Sequence, residues 1–267
     1  MNETYTHGHQ EPVLRSHRWR TAANSAAYLT GRLEPGMDLL DVGCGPGTIT
    51  VDLARIVSPG RVVGVDRDAG IVQEAARAAS RAGAAGHPEF RVGDVYHLDH
   101  PDRSFDVVHA HQVLQHLADP VAALREMRRV LRPGGLLAVR DSDYGGFLWN
   151  PGDPRLDRWR DIYHQVCARN GADSDAGRRL PGWVGAAGFD RLEVTSSNWT
   201  FADPESRSWW GGLWADRTLT SSFAQQAMDY GITTRGELEV ISAGWREWSE
   251  ADDALFVVLS VEVLARA

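Results

Sequence analysis

Cysteine is scarce in this chain: Cys44 and Cys167 are the two among 267 residues. Two thiols cannot build a disulfide framework, so the fold must rest on its hydrophobic core. No run of lysine or arginine occurs, and the net charge is −8 with a pI of about 5.7. The sequence therefore carries no evident nucleic-acid footprint. No apolar stretch approaches the roughly 20 residues that span a bilayer, and the opening MNETYTHGHQEP lacks the apolar centre of a signal peptide. Internal repeats and low-complexity tracts are missing too. These absences lead us to expect a cytoplasmic protein with no membrane span and no nucleic-acid partner, and they leave a homodimer open. Hydrophobic residues, at 43%, suffice for a sizeable core, and most of the ten tryptophans fall in the second half.

Residues 39–50, LLDVGCGPGTIT, are the most informative stretch. Leu39, Leu40 and Val42 predict a buried strand. Gly43, Gly45 and Gly47, at alternate positions, predict a tight turn that admits a ligand against bare backbone. Thr48, Ile49, Val51, Leu53 and Ala54 then open a helix whose first N–H groups face the loop. A strand, glycine loop and helix in this order form a nucleotide-type cofactor site. A plain βα turn and a dinucleotide turn are the competing readings. The dinucleotide fingerprint is G-x-G-x-x-G, whereas Gly47 falls one place early for it. Asp66 ends the next strand, RVVGVD, where a carboxylate can accept both hydroxyls of a ribose.

Apolar spacing predicts helices over 13–33, 47–57, 68–82, 120–131, 156–170 and 177–187. Strands are predicted at 39–42, 61–66, 89–93, 104–110, 136–140, 189–198 and 255–264. Alternation through residue 141 predicts an α/β fold, a mainly parallel sheet with helices on both faces. A tryptophan-rich helical insertion over 204–249 separates the last two strands. In the first helix Arg15, Arg18, Arg20 and Asn24 form either a solvated face or a cover over the cofactor mouth, with an arginine meeting a carboxylate.

The segments DVGCGPG, VVGVDRD, RVGDVYHLDHPDRSFDVVHAHQVLQHLADP and LRPGGLLAVRD now stand in order across residues 37–141. Together they resemble the class I S-adenosylmethionine-dependent methyltransferases. Within these they are similar to the ubiquinone/menaquinone-biosynthesis type (methyltransferase type 11) that acts on small molecules. The resemblance implies a Rossmann-like seven-stranded sheet with the last strand antiparallel, and S-adenosyl-L-methionine as cofactor. It also implies site residues. Asp41, Gly43, Cys44, Gly45 and Gly47 would wrap the methionine half, and Asp66 would hold the ribose. Arg67, Gly93, Asp94 and Val95 would surround the adenine, and Ala110 and His111 would lie near the sulfonium. The second half departs from the quinone enzymes and resembles bacterial methyltransferases of this type with enlarged caps.

The expected organisation is an N-terminal helical lid (1–36), a cofactor core (37–145, continued at 177–203 and closed by a last strand in 251–267) and helical cap insertions (146–176 and 204–250). Arg20, with Asn24 a turn later, is the arginine expected at the cofactor. An oxygen or carbon acceptor needs its proton removed near neutral pH; Asp141, Asp143, His111 and His116 are the candidate bases. Tyr144, Phe147, Trp149, Trp210 and Trp214 are expected to wall the substrate pocket, with Arg207, Arg217 and Arg235 as polar anchors. Walls of this kind suit an aromatic or polycyclic small-molecule acceptor. The alternatives are a quinone-type C-methyltransferase, a non-catalytic adenosylmethionine-binding protein and a nicotinamide oxidoreductase. No metal site is expected. His7, His9 and His17 lie near the N-terminus, and His97, His100, His109, His111 and His116 mid-chain. A metal needs converging ligands with a supporting shell; the 109-x-111 pair merely shares one face of a strand.

Overall fold

The computed structural model describes residues 5–8, 10–81, 83 and 86–267. His9, the first four residues of the 1–36 segment and residue 82 at the end of the helix expected over 68–82 lie outside the described residues. The chain opens with three short helices, α1 (Glu11–Trp19), α2 (Ala22–Ser25) and α3 (Ala27–Thr30), in place of the single helix expected over 13–33. The break is local chemistry. Arg20 is extended, at φ −72° and ψ 137°. Thr21 Oγ1 accepts the Asn24 N–H at 3.2 Å while Asn24 Oδ1 accepts the Thr21 N–H at 2.8 Å. This reciprocal box starts a new helix.

Strand and helix then alternate: β1 (Leu39–Val42), α4 (Thr48–Val57), β2 (Val62–Asp66), α5 (Ala69–Arg81), β3 (Glu89–Val92), β4 (Phe105–His111), α6 (Pro120–Val130) and β5 (Leu131–Ser142). Asp119 begins α6 by accepting the Ala122 N–H at 2.9 Å, with Pro120 as its first residue. The second half supplies β6 (Leu148–Asn150), α7 (Pro154–Arg169), α8 (Ala176–Ala186), β7 (Asp190–Phe201), α9 (Pro204–Thr220), α10 (Ser222–Asp229), α11 (Arg235–Glu250) and β8 (Leu255–Arg266).

The sheet runs β3-β2-β1-β4-β5-β8, with β7 on the far side of β8. The first five strands are parallel. The last strand, β8, is antiparallel to both β5 and β7. The structure holds an eighth strand that the sequence pattern does not reveal. β8 is twelve residues long and β5 pairs only with its stretch 260–266, so an edge is left at 255–257. The short β6 covers that edge, as an uncovered strand edge invites foreign pairing.

The two sheet faces bury different side chains, as strand alternation requires. Leu40, Val42, Val108, Leu137 and Val139 pack with α6 and α8. Leu39, Val62, Val107, Leu136 and Ala138 pack with α2, α3 and α4. A third core lies beyond the sheet's carboxyl edge. Trp159 of α7 meets Trp214 of α9 at 4.5 Å and Trp245 of α11 at 5.0 Å, both edge to face, with Phe256 of β8 against Trp245. None of the described helices is long and apolar enough to cross a membrane.

Candidate functional site

The parallel strands end on one side of the sheet, and the loops that follow them open there. Gly43, Gly45 and Gly47 all have positive φ, 68°, 53° and 81°, a region L side chains rarely occupy. The turn is held against the next strand: the N–H groups of Gly43 and Cys44 both donate to Val65 O, at 2.8 and 3.0 Å. Asp66 closes the arrangement. Its Oδ2 accepts the Gly45 N–H at 3.1 Å and its Oδ1 the Asp68 N–H at 3.1 Å.

A cavity of about 1150 Å³ extends from this loop to the third core. One end is formed by Gly43, Cys44, Gly45, Asp66, Arg67, Gly93, Asp94 and Val95, the carboxyl termini of β1, β2 and β3. The other end is formed by Tyr144, Phe147, Trp199, Trp210 and Trp214. Arg20, Asp41, His111 and His116 also line it. The expected site residues among these, together with Arg217, are the ones the fold brings together.

Ala110, Asp141, Gly47 and Trp149 do not line the cavity, nor do Asp143, Arg207 and Arg235. Ala110 and Asp141 each precede a lining residue on a strand, His111 and Ser142, and so face the opposite side of the sheet. Ala110 packs into the core beneath α6. Asp141 is fully buried, accepts the Gln115 N–H at 3.3 Å, and burial pushes its carboxyl up to about 7. Gly47 turns inward as the N-cap of α4, where a Cβ would come within 2.7 Å of Phe90. Trp149 lies on β6, stacked at 5.7 Å on Phe256 with the Arg160 guanidinium over its outer face. Asp143, another candidate base, is paired away from the cavity. Arg178 holds it through Nε at 2.7 Å and Nη2 at 2.5 Å. Arg207 donates to Asp252 O, and Arg235 pairs with Glu239 on the surface.

The N-terminal arginines divide between the two roles considered for them. Arg15 pairs with Asp216, and Arg18 with Glu11 and Glu74. Arg20, freed from α1 by the helix break, reaches the cavity, donating to Gln112 Oε1 at 2.6 Å and lying 5.5 Å from the Trp199 ring. Gln112 in turn donates to Ser142 Oγ at 2.6 Å.

Asp41 and the histidines separate by partner. Asp41 Oδ1 meets His109 Nδ1 at 2.7 Å and Oδ2 accepts from Thr50 at 2.5 Å. His109 is thereby used inside the sheet. His7, His17, His111 and His116 line the cavity. Burial, then nearby arginines, drives the pKa of each below the ordinary value, that of His116 to about 3. The rings are therefore neutral at physiological pH, and in the free protein they are weak bases. Sequence reasoning gave no role to Tyr5, His7, His17 or Gln112. The contact of His7 with Tyr163, 2.8 Å from Nε2 to the hydroxyl, spans 156 positions, and no local pattern encodes it. Among the described residues, no group of three or more His, Cys, Asp or Glu converges as metal ligands would.

A family model described as a methyltransferase domain matches residues 33–176. An uncharacterized methyltransferase of Schizosaccharomyces pombe is 32% identical over 97% of this chain and 95% of its own. The 27-O-demethylrifamycin SV methyltransferase of Amycolatopsis mediterranei is 33% identical over 64% of this chain and 62% of its own. Among solved structures, the YcgJ protein of Bacillus subtilis has a similar fold, with a TM-score of 0.59 at 19% identity, covering 90% of this chain and 96% of that one.

Proposed function

The chain belongs to the class I S-adenosylmethionine-dependent methyltransferases, and from that premise we propose that it methylates a small, largely apolar acceptor with an aromatic or polycyclic body. S-adenosylmethionine is the cofactor and a small molecule the methyl acceptor. One observation carries the finer reading: a single cavity joins the glycine loop to a wall of Tyr144, Phe147, Trp199, Trp210 and Trp214. Its volume of about 1150 Å³ exceeds the roughly 300–1,000 Å³ that accommodates one drug-sized ligand, leaving room for cofactor and acceptor together. The relative named as a 27-O-demethylrifamycin SV methyltransferase supports a small-molecule acceptor.

The residues fit the cofactor. A Cβ on Gly45 would meet nothing within 4 Å, so a side chain there would project into open space beside Asp66. In our reading Asp66 would hold the ribose hydroxyls, its carboxylate oriented by two backbone N–H groups. Arg67, Gly93, Asp94 and Val95 would surround the adenine. Asp41, Gly43, Cys44 and Gly45 would border the methionine portion, with Arg20 meeting its carboxylate. When bound, the cofactor supplies an electrophilic methyl group on a sulfonium whose departing thioether is neutral. The protein's contribution is alignment and exclusion of water: Trp19, Trp199, Trp210 and Trp214 cover the cavity, and His111 and His116 are the candidate bases for an acceptor that arrives protonated. We assign the adenosine half to 37–145 and the acceptor half to the caps, 146–176 and 204–250, with 1–36 as cover.

The reading is tested by following labelled methyl transfer from adenosylmethionine to a panel of hydroxylated aromatic and polycyclic compounds, with glycine as the small polar control. Turnover should be confined to the ring compounds. Transfer to glycine alone would overturn the aromatic-acceptor assignment.

A further inference from the structure

The cavity has its carboxylates at one end. Its carboxylates, Asp41, Asp66, Asp68, Asp94 and Asp119, all belong to the sheet's loop end. The cap elements that line it, 144–147 and α9, contribute none. In their place α9 contributes Arg217, which lines the cavity and is only 4% exposed. No described carboxylate lies within ion-pair distance of Arg217, although acidic residues outnumber basic ones 36 to 28 in the chain.

Arg217 is fixed in place. Its Nε donates to Pro12 O at 3.2 Å and its Nη2 to Val13 O at 3.1 Å and to Ser16 Oγ. The guanidinium lies 5.1 Å from the Trp214 ring centroid. Two neutral carbonyls and a hydroxyl orient the cation without cancelling its charge, and Nη1 has no protein partner among the described residues. Burial lowers its pKa to about 10, which still leaves it charged at neutral pH. A buried cation without a counter-ion is costly unless a ligand completes the pair. Arg20, the other inner arginine, is matched to the methionine carboxylate in the reading above. Arg67 lines the opposite, adenine end, so Arg217 is the arginine that remains at the acceptor end.

Resting on that reading of the cavity, we propose that the acceptor binds as an organic anion, its aromatic body against Trp210 and Trp214 and its anionic oxygen on Arg217. The anion is a carboxylate or an ionised acidic hydroxyl. An acceptor oxygen that arrives ionised has no proton left to remove, which suits a cavity in which His7, His17, His111 and His116 are weak bases.

The test uses the full chain saturated with S-adenosylhomocysteine, titrated calorimetrically with 2-naphthoate and with its neutral counterpart 2-naphthamide. A second arm uses 4-nitrophenol, whose ionisation is read from its visible absorbance as pH varies. If the anion is a carboxylate, naphthoate binds about tenfold or more tighter than naphthamide. Arg217→Gln then abolishes the difference and Arg217→Lys keeps part of it. If it is an ionised hydroxyl, bound 4-nitrophenol ionises at lower pH than the free compound, and Arg217→Gln removes that shift. The wild-type comparisons need no variant, so misfolding of Arg217→Gln does not spoil the test. Equal affinity for naphthoate and naphthamide, with an unshifted nitrophenol, overturns the proposal. Failure of wild type to bind S-adenosylhomocysteine would instead overturn the reading of the cavity on which it rests.

Discussion

Trp214→Ala should lose about 3–5 kcal/mol of unfolding free energy in chemical denaturation, the usual loss when a buried large aromatic is truncated. Trp214 is 1% exposed. It meets Trp159 edge to face at 4.5 Å and stacks at 5.9 Å on Trp245. Yet it also lines the cavity and lies beneath Arg217. Core packing and pocket lining are two sides of one indole. Trp214→Phe retains an aromatic face and should recover most of the stability, and its residual effect should appear in acceptor affinity. An alanine variant as stable as wild type would contradict the packing seen in the third core.

The second large effect is expected at Glu262→Gln. Arg140 on β5 is fully buried, and its Nε lies 3.4 Å from Glu262 Oε1 on β8. Glu262 also accepts from Thr195 at 2.7 Å and Ser197 at 2.5 Å on β7. The carboxylate thus ties three adjacent strands together. Removing its charge leaves the Arg140 guanidinium buried and unpaired, which costs about 3–5 kcal/mol and should lower the melting temperature by roughly 6–20 °C. The effect should reach the cavity, because Arg140 lies 4.9 Å from the ring of Trp199, a lining residue that faces His111. The double substitution Arg140→Met, Glu262→Leu should recover much of the stability. Calorimetric unfolding checks all three variants, and an unchanged melting temperature in Glu262→Gln would show that the pair is not a structural tie.

The cofactor end of the cavity was legible because it is built locally. A strand, three closely spaced glycines and a helix follow one another in sequence, and the carboxylate of Asp66 ends the next strand. Strand parity was legible in principle. The pairing of His109 with His111 on one face already implies that Ala110 faces away, and the same alternation on β5 separates Asp141 from Ser142. The break before α2 had a sequence signal too, the Thr21 and Asn24 box, although the helical spacing of the alanines masks it. The acceptor end had no such signal. Tyr5 and His7 reach it from a polar segment, and Arg217 is oriented by carbonyls about 200 positions away. Contacts of that range depend on the packing of the entire cap. Trp149 misled for a related reason: a tryptophan in a loop after β5 reads as pocket wall, whereas β6 pairs it onto β8.

The account rests on the adenosine half of the cofactor lying where Asp66 meets the glycine loop. The most direct measurement is a calorimetric titration of S-adenosylhomocysteine into wild type and Asp66→Ala. Asp66 is anchored by the N–H groups of Gly45 and Asp68, both at 3.1 Å, so its carboxylate faces the cavity in a fixed orientation. Charge-assisted bonds to hydroxyls should be lost in the variant, weakening binding by about 1.5–3 kcal/mol, or about tenfold or more. Equal affinity of the two proteins for S-adenosylhomocysteine would contradict the account.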